Sequence, residues 1–327
     1  VNAKYNGNMR IGYIDIAKSL ALICVIWSHS IGSEYASISY GFMIPSFFLL
    51  SGVTLKKISL QQKAKRLLTP YVIFNILILL IASISEMRQV TLTNWIGVLY
   101  SRFSLHPLSE PNNLVFMNVG NSPTWFLTAM FMSFVFLKGI LLIKKENTRL
   151  LICGLYILLT LLLSKLKILL PWSIDSAMLF AVFMYAGTKL KNIFQKEMFL
   201  SMRVFLMGCC IYVTGWYLNK YVNLSIRDYG YSILLVLING VIGTLLLIRF
   251  SIIIEKTLIG NLLTKLNKGA ITLFCIQMPL LIIAAKIAPA ILLNNTIFIT
   301  IFQVVFTLSI GFYIAKVIVP LLNKVTG

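Results

Sequence analysis

The chain has 327 residues, 59% of them hydrophobic and only 12% charged, with a mean hydropathy of +0.90 and a net charge of +20. That composition excludes a soluble globular enzyme and leaves no length for a sizeable aqueous domain, so a single integral-membrane domain spanning 1–327 is expected. The positive charge lies in short clusters between apolar runs, the pattern of cytoplasmic loops, which argues against a nucleic-acid-binding surface.

Ten apolar runs can be read, near 12–31, 40–56, 68–86, 122–143, 149–168, 175–190, 198–218, 230–250, 269–288 and 296–319. The expected fold is all-α and polytopic, with about ten transmembrane helices. The second and sixth runs are short for a straight span and should be tilted or buried in the bundle. With the N-terminus inside, Lys and Arg favour the cytoplasmic segments by about three to one, so both termini are expected in the cytoplasm. No small-residue cleavage site follows the first run, which therefore reads as a retained span. Met9 is one candidate start, which would make residues 1–8 an N-terminal extension.

The first run carries ionisable residues at Asp15, Lys18 and His29. On one helix, Lys18 and His29 fall within roughly 20° of a common face and some 16 Å apart along the axis. Lys18 can snorkel and a lone His can be a packing residue, but a shared stripe of three such groups inside a membrane points to function. In the second run Pro45 should start or kink a helix, and Ser46, Ser51 and Gly52 offer small surfaces for close packing. The segment Lys56, Lys57, Lys63, Lys65 and Arg66 reads as a basic loop. Its charge suits a topology signal beside anionic lipid, or a phosphate clamp.

The loop near 87–121 mixes aromatics with polar groups, which suits sugar stacking or an interfacial belt equally. Asn121 and Ser122 can cap the following helix, Pro123 fits its first turn, and Trp125 then lies near the outer interface. Asp175 opens the sixth run, where a helix dipole favours an acid. Arg227 and Asp228 are expected to be solvated. Segment 251–268 reads as an amphipathic surface helix. The five cysteines fall within apolar runs and show no disulfide or metal-ligand spacing, and no metal cluster is visible.

In this order, these residues resemble membrane-bound acyltransferase family 3, especially its fucose 4-O-acetylase-like and polysaccharide O-acetyltransferase members. The Asp15, Lys18 and His29 spacing matches the family's opening motif, with Lys where Arg is frequent. Ile44-Pro45-Ser46-Phe47-Phe48-Leu49-Leu50-Ser51-Gly52, Lys63-Ala64-Lys65-Arg66 before Pro70-Tyr71, and Trp125-Phe126-Leu127 match later motifs. One departure is Gln277, at a place the family often gives to His.

The resemblance implies an acyl-CoA donor, with acetyl-CoA as co-substrate and no tightly bound cofactor, and a sugar or polysaccharide acceptor, often lipid-linked. It also implies a bacterial inner-membrane location among membrane lipids. His29 is then the expected catalytic base or acyl carrier, and Lys18, Lys63 and Arg66 the expected donor-phosphate ligands. Asp15 and Ser51 would support them, and Glu34, Asn121, Trp125, Asp175 and Gln277 are acceptor-side candidates. The alternative from the residues alone is a flippase for a lipid-linked sugar, with Lys18 and His29 lining its path.

Overall fold

The computed structural model describes residues 12–84, 90–102, 121–191, 201–291 and 295–326. Residues 1–8, read as an extension, and the 103–120 part of the long loop lie outside these. The described residues are helical, with no strand. In chain order the helices are α1 (Gly12–Ser28), α2 (Met43–Val53), α3 (Leu60–Ile84), α4 (Leu92–Tyr100), α5 (Trp125–Leu142) and α6 (Glu146–Ser164). They continue with α7 (Ile174–Leu190), α8 (Met202–Asn219), α9 (Ile233–Ile254), α10 (Leu258–Asn267), α11 (Ala270–Ile291) and α12 (Thr296–Thr326).

Among the described residues, seven helical stretches are long and apolar enough to cross a membrane. The three further runs form α1, α7 and α8, of 17, 17 and 18 residues. Long apolar side chains cover the outside of α6 and α12, with Leu151 71% and Val317 68% exposed. Backbone paired within helices and such an apolar exterior together suit lipid as solvent. The chain is an integral membrane protein.

The two short runs are buried, as expected. α2 and α7 pack against each other at the centre, with α5, α6, α9 and α1 around them. Phe48 stacks on Phe180 at 4.2 Å between ring centroids, and Phe126 stands edge-on to both Phe47 and Phe48. Glycine makes the α2–α7 crossing this close. A Cβ on Gly52 would lie 1.9 Å from the Met184 carbonyl oxygen, and one on Gly187 would lie 2.1 Å from that of Leu49. Backbone cannot swing aside as a side chain can. Gly52→Ala and Gly187→Ala are each expected to cost about 1–3 kcal/mol, read as a drop of several degrees in the thermal midpoint in detergent.

Two expectations need correcting. Residues 60–66 are not loop, because α3 begins at Leu60. Ser59 caps it, its Oγ accepting from the Gln62 N–H at 3.4 Å and its carbonyl from the Lys63 N–H at 3.0 Å. The helix continues through Pro70, whose missing N–H costs one ladder bond in an otherwise long apolar helix. Helical spacing then puts Lys63 and Arg66 on one face. Arg227 is not solvated. It is buried, and joins Arg102 in a buried ion pair with Asp175.

Only part of segment 251–268 forms the amphipathic helix expected there: residues 251–254 complete α9, and α10 covers Leu258–Asn267. Its Leu263 and Leu266 are buried, while Leu258, Ile259 and Leu262 are exposed. It packs along α1, where Ser19 Oγ donates to the Leu263 carbonyl at 2.7 Å.

Candidate active site

α1 carries the site. Its first turn leaves backbone N–H groups without intrahelical partners, and the Glu255 carboxylate accepts from the Tyr13 N–H at 3.0 Å. One turn along, Asp15 accepts from Asn267 Nδ2 at 2.6 Å, which ties α1 to the end of α10. From there one face of α1 lines two cavities in succession. Asp15, Lys18 and Leu22 border a cavity of about 710 Å³, and Val25, Ser28 and His29 border a chamber of about 190 Å³. The stripe expected from spacing alone thus runs from one cavity into the other.

The larger cavity is basic. Lys18, Lys56, Lys57, Lys63, Arg66 and Lys268 line it, with Asp15 the one acid among its described lining residues. Ser51 and Thr54 add hydroxyls, and Phe47, Phe126 and Phe134 give it an apolar wall. Lys63 Nζ lies 4.2 Å over the Phe134 ring, which holds the ammonium at the cavity wall. Cations from α1, α3, the 56–57 turn and Lys268 converge on one space. Such a cavity suits a long ligand with phosphates at one end and an apolar arm.

His29 stands just past the end of α1. Its backbone N–H bonds back to the Ile26 carbonyl at 3.2 Å, a tighter turn than α-helix, and this frees the Val25 carbonyl. The imidazole takes up that acceptor, with Nδ1 2.7 Å from the Val25 oxygen. A carbonyl only accepts, so Nδ1 carries the proton in this contact and Nε2 of the neutral ring is left with a lone pair. Ser28 Oγ donates to the same carbonyl at 2.7 Å. Its own helix therefore orients the His29 ring with Nε2 as an available acceptor.

The other candidates divide. Trp125 is 8% exposed and lines the His29 chamber together with Pro123. Glu34 is exposed in the 3-10 turn Ser33–Ser39 and borders neither cavity. Asn121 is fully buried, and its side-chain amide has no hydrogen-bond partner among the described residues. Gln277 is fully buried, donates to the Phe274 carbonyl of its own helix at 3.2 Å, and borders neither cavity.

Asp175 is also fully buried. Its Oδ1 lies 2.7 Å from Arg102 Nη1, its Oδ2 3.2 Å from Arg227 Nη1, and it accepts the Leu170 and Ser176 N–H groups at 3.0 and 2.9 Å. Arg102 Nη2 in turn donates to the Ser225 carbonyl at 2.7 Å, and Ser225 lines the His29 chamber. Burial next to Asp175 also raises the pKa of the nearby Tyr229 phenol, which stays protonated.

A family model described as an acyltransferase domain matches residues 11–316, nearly the whole chain. The chain belongs to acyltransferase family 3. No curated protein and no solved structure matches it. Membership sets aside the flippase reading in favour of an enzyme that moves acyl groups. For this family member, the residues that the motifs did not point to are mostly aromatic. Tyr40 and Tyr221 line the His29 chamber, as does Phe274, which opens the motif that ends at Gln277 and lines the larger cavity as well. Lys268 joins the basic cluster from the turn between α10 and α11. No short-range pattern marks Tyr40, Tyr221 or Lys268, because each reaches the site from a distant part of the chain.

Proposed function

We propose that this acyltransferase moves an acetyl group from acetyl-CoA to a hydroxyl of a cell-surface polysaccharide or its lipid-linked precursor. One observation carries the reading: a single face of α1 runs from a large basic cavity to a small chamber holding His29. The CoA phosphates sit against Lys18, Lys63 and Arg66 at a cytoplasmic mouth, with Asp15 and Ser51 beside them. The pantetheine arm passes Phe274 and presents the thioester to His29.

His29 Nε2 removes the proton of the sugar hydroxyl as its oxygen attacks the thioester carbonyl. The C–S bond then breaks, and the CoA thiolate leaves with the proton from the imidazolium. A chamber of about 190 Å³ favours a short acyl group. The positive-inside bias supports a mouth that faces the cytoplasm, and the family resemblance supports a bacterial inner membrane as its setting.

The test is binding of radiolabelled acetyl-CoA to the purified chain, and transfer in its membranes. Lys18→Ala and Lys63→Ala are each expected to weaken CoA binding about tenfold, with a shallower salt dependence than the native chain shows. The exposed Arg66 is expected to contribute less. Native protein that binds no acyl-CoA, or binds it with no salt dependence, would refute the donor site.

A further inference from the structure

A second concavity opens beside the His29 chamber. It has a volume of about 570 Å³ and is lined by Tyr40, Trp216, Tyr217, Lys220, Tyr221 and Tyr231, among others. These six come from three separate parts of the chain: the turn before α2, the end of α8 with the residues after it, and the approach to α9. Tyr40 and Tyr221 line the chamber too. Their rings meet edge to face at 5.6 Å and form a lip common to both spaces.

The polar tips in this groove are already ordered. Tyr221 Oη accepts from Asn223 Nδ2 at 3.2 Å, and Lys220 Nζ donates to Tyr231 Oη at 3.0 Å. Lys220 is held at φ 56°, ψ −140°, a conformation that costs a non-glycine residue free energy. Tyr217, Tyr221 and Tyr231 remain 74%, 54% and 70% exposed. An interfacial aromatic belt would be spread around the outside of the helices. This set instead converges on one groove that leads to the catalytic base.

We propose that this groove binds the acceptor glycan, resting on the acyltransferase reading above. Sugar rings present flat C–H faces and polar edges, and match side chains with an apolar body and a polar tip. Trp216, Tyr217 and Tyr231 stack on the glycan, and Lys220 donates to ring hydroxyls or to an acidic substituent. The reacting sugar reaches over the Tyr40–Tyr221 lip so that its hydroxyl meets His29 Nε2. The groove meets the chamber at Tyr40 and Tyr221 and the basic cavity meets it at Phe274, so donor and acceptor reach His29 past different residues.

The experiment uses the full chain in detergent, with de-O-acetylated envelope polysaccharide fragments from the producing cells as probe. Glycan is expected to change the tryptophan fluorescence of the native protein in the absence of any donor, and Trp216→Ala is expected to abolish most of that change. In the transfer assay, Trp216→Ala, Tyr221→Ala and Lys220→Ala are expected to raise the acceptor KM by about tenfold, with the KM for acetyl-CoA and the thermal midpoint held. Tyr313→Ala, an exposed aromatic on α12, serves as the belt control and is expected to change neither constant.

If the native protein transfers acetyl, an unchanged acceptor KM in the three groove variants would overturn the groove alone. A native protein that transfers nothing would overturn the enzymatic reading, and the fluorescence titration would still decide whether the groove holds glycan. No fluorescence response, or one that persists in Trp216→Ala, refutes it.

Discussion

His29→Ala is expected to lower acyl transfer by about 10²–10⁴-fold, the span that a positioned general base supplies, while acetyl-CoA binding stays within about twofold of native. The separation follows from where the groups sit. The cations line the larger cavity and His29 lines the chamber beyond Phe274, so removing the imidazole leaves the phosphate contacts in place. His29→Gln should do no better, because an amide offers no proton acceptor of comparable basicity.

The pH profile has a definite sign. Only neutral imidazole can take the hydroxyl proton, so kcat/KM for the acceptor should rise with pH through the His29 titration and then level off. A variant at position 29 should lose that limb. Acid-quenching native protein with labelled acetyl-CoA and no acceptor is expected to leave no label on the chain. Label that appears there and vanishes in His29→Ala would mean that Nε2 attacks the thioester itself. Transfer that persists at half the native rate in His29→Ala would remove His29 from the chemistry.

Asp175→Asn is expected to destabilise the protein by about 3–5 kcal/mol, because it strands two buried guanidiniums without their counter-charge. Arg102 and Arg227 are 3% and 1% exposed at the side chain and Asp175 is 0%, so no water replaces the lost partner. The same carboxylate secures a strained turn. Trp172 and Ser173 sit at φ 54° and 55°, which a non-glycine residue adopts only when its surroundings hold it there. Asp175 accepts the Leu170 N–H on one side of the turn, and the Trp172 indole N–H donates to the Leu99 carbonyl at 2.8 Å.

Arg227 donates to the Leu163 and Leu166 carbonyls at 2.5 and 2.6 Å, pinning the end of α6. Loss of Asp175 therefore loosens three segments at once, including the 223–225 wall of the His29 chamber. The readout is a large fall in the thermal midpoint and in monodisperse yield. Arg227→Ala is expected to behave alike, since it leaves the acid short of one partner. An Asp175→Asn protein that melts like native but loses acceptor affinity would instead make Asp175 an acceptor ligand.

How much of this was legible in the sequence depended on the range of the interaction. Helical periodicity is local, so the α1 face joining Asp15, Lys18 and His29 could be drawn from spacing, and the structure keeps it as one face along two cavities. Of the two readings that their short length allowed for the second and sixth runs, tilted or buried, the structure shows burial. Family-wide motif order likewise pointed to an acyltransferase, which the match over 11–316 shows. The start of α3 was misread because charge was taken as a sign of loop. A basic segment next to a membrane helix can equally be its first turns, with Lys63 and Arg66 on the cavity face.

The sequence by itself determined an apolar helical chain, its length in lipid, and the one stripe of ionisable groups that local geometry can align. Only the tertiary structure decided which polar residues line the cavities and which pair in the buried interior. Asp175 and Arg227 are 52 positions apart and each looked solvated or capping alone, yet burial forces them to pair. Tyr40 and Tyr221, 181 positions apart in the chain, become one lip over His29. Such pairings arise from helix packing between distant segments, and an unpaired charge or an exposed ring gives no sign in sequence of the partner it will meet.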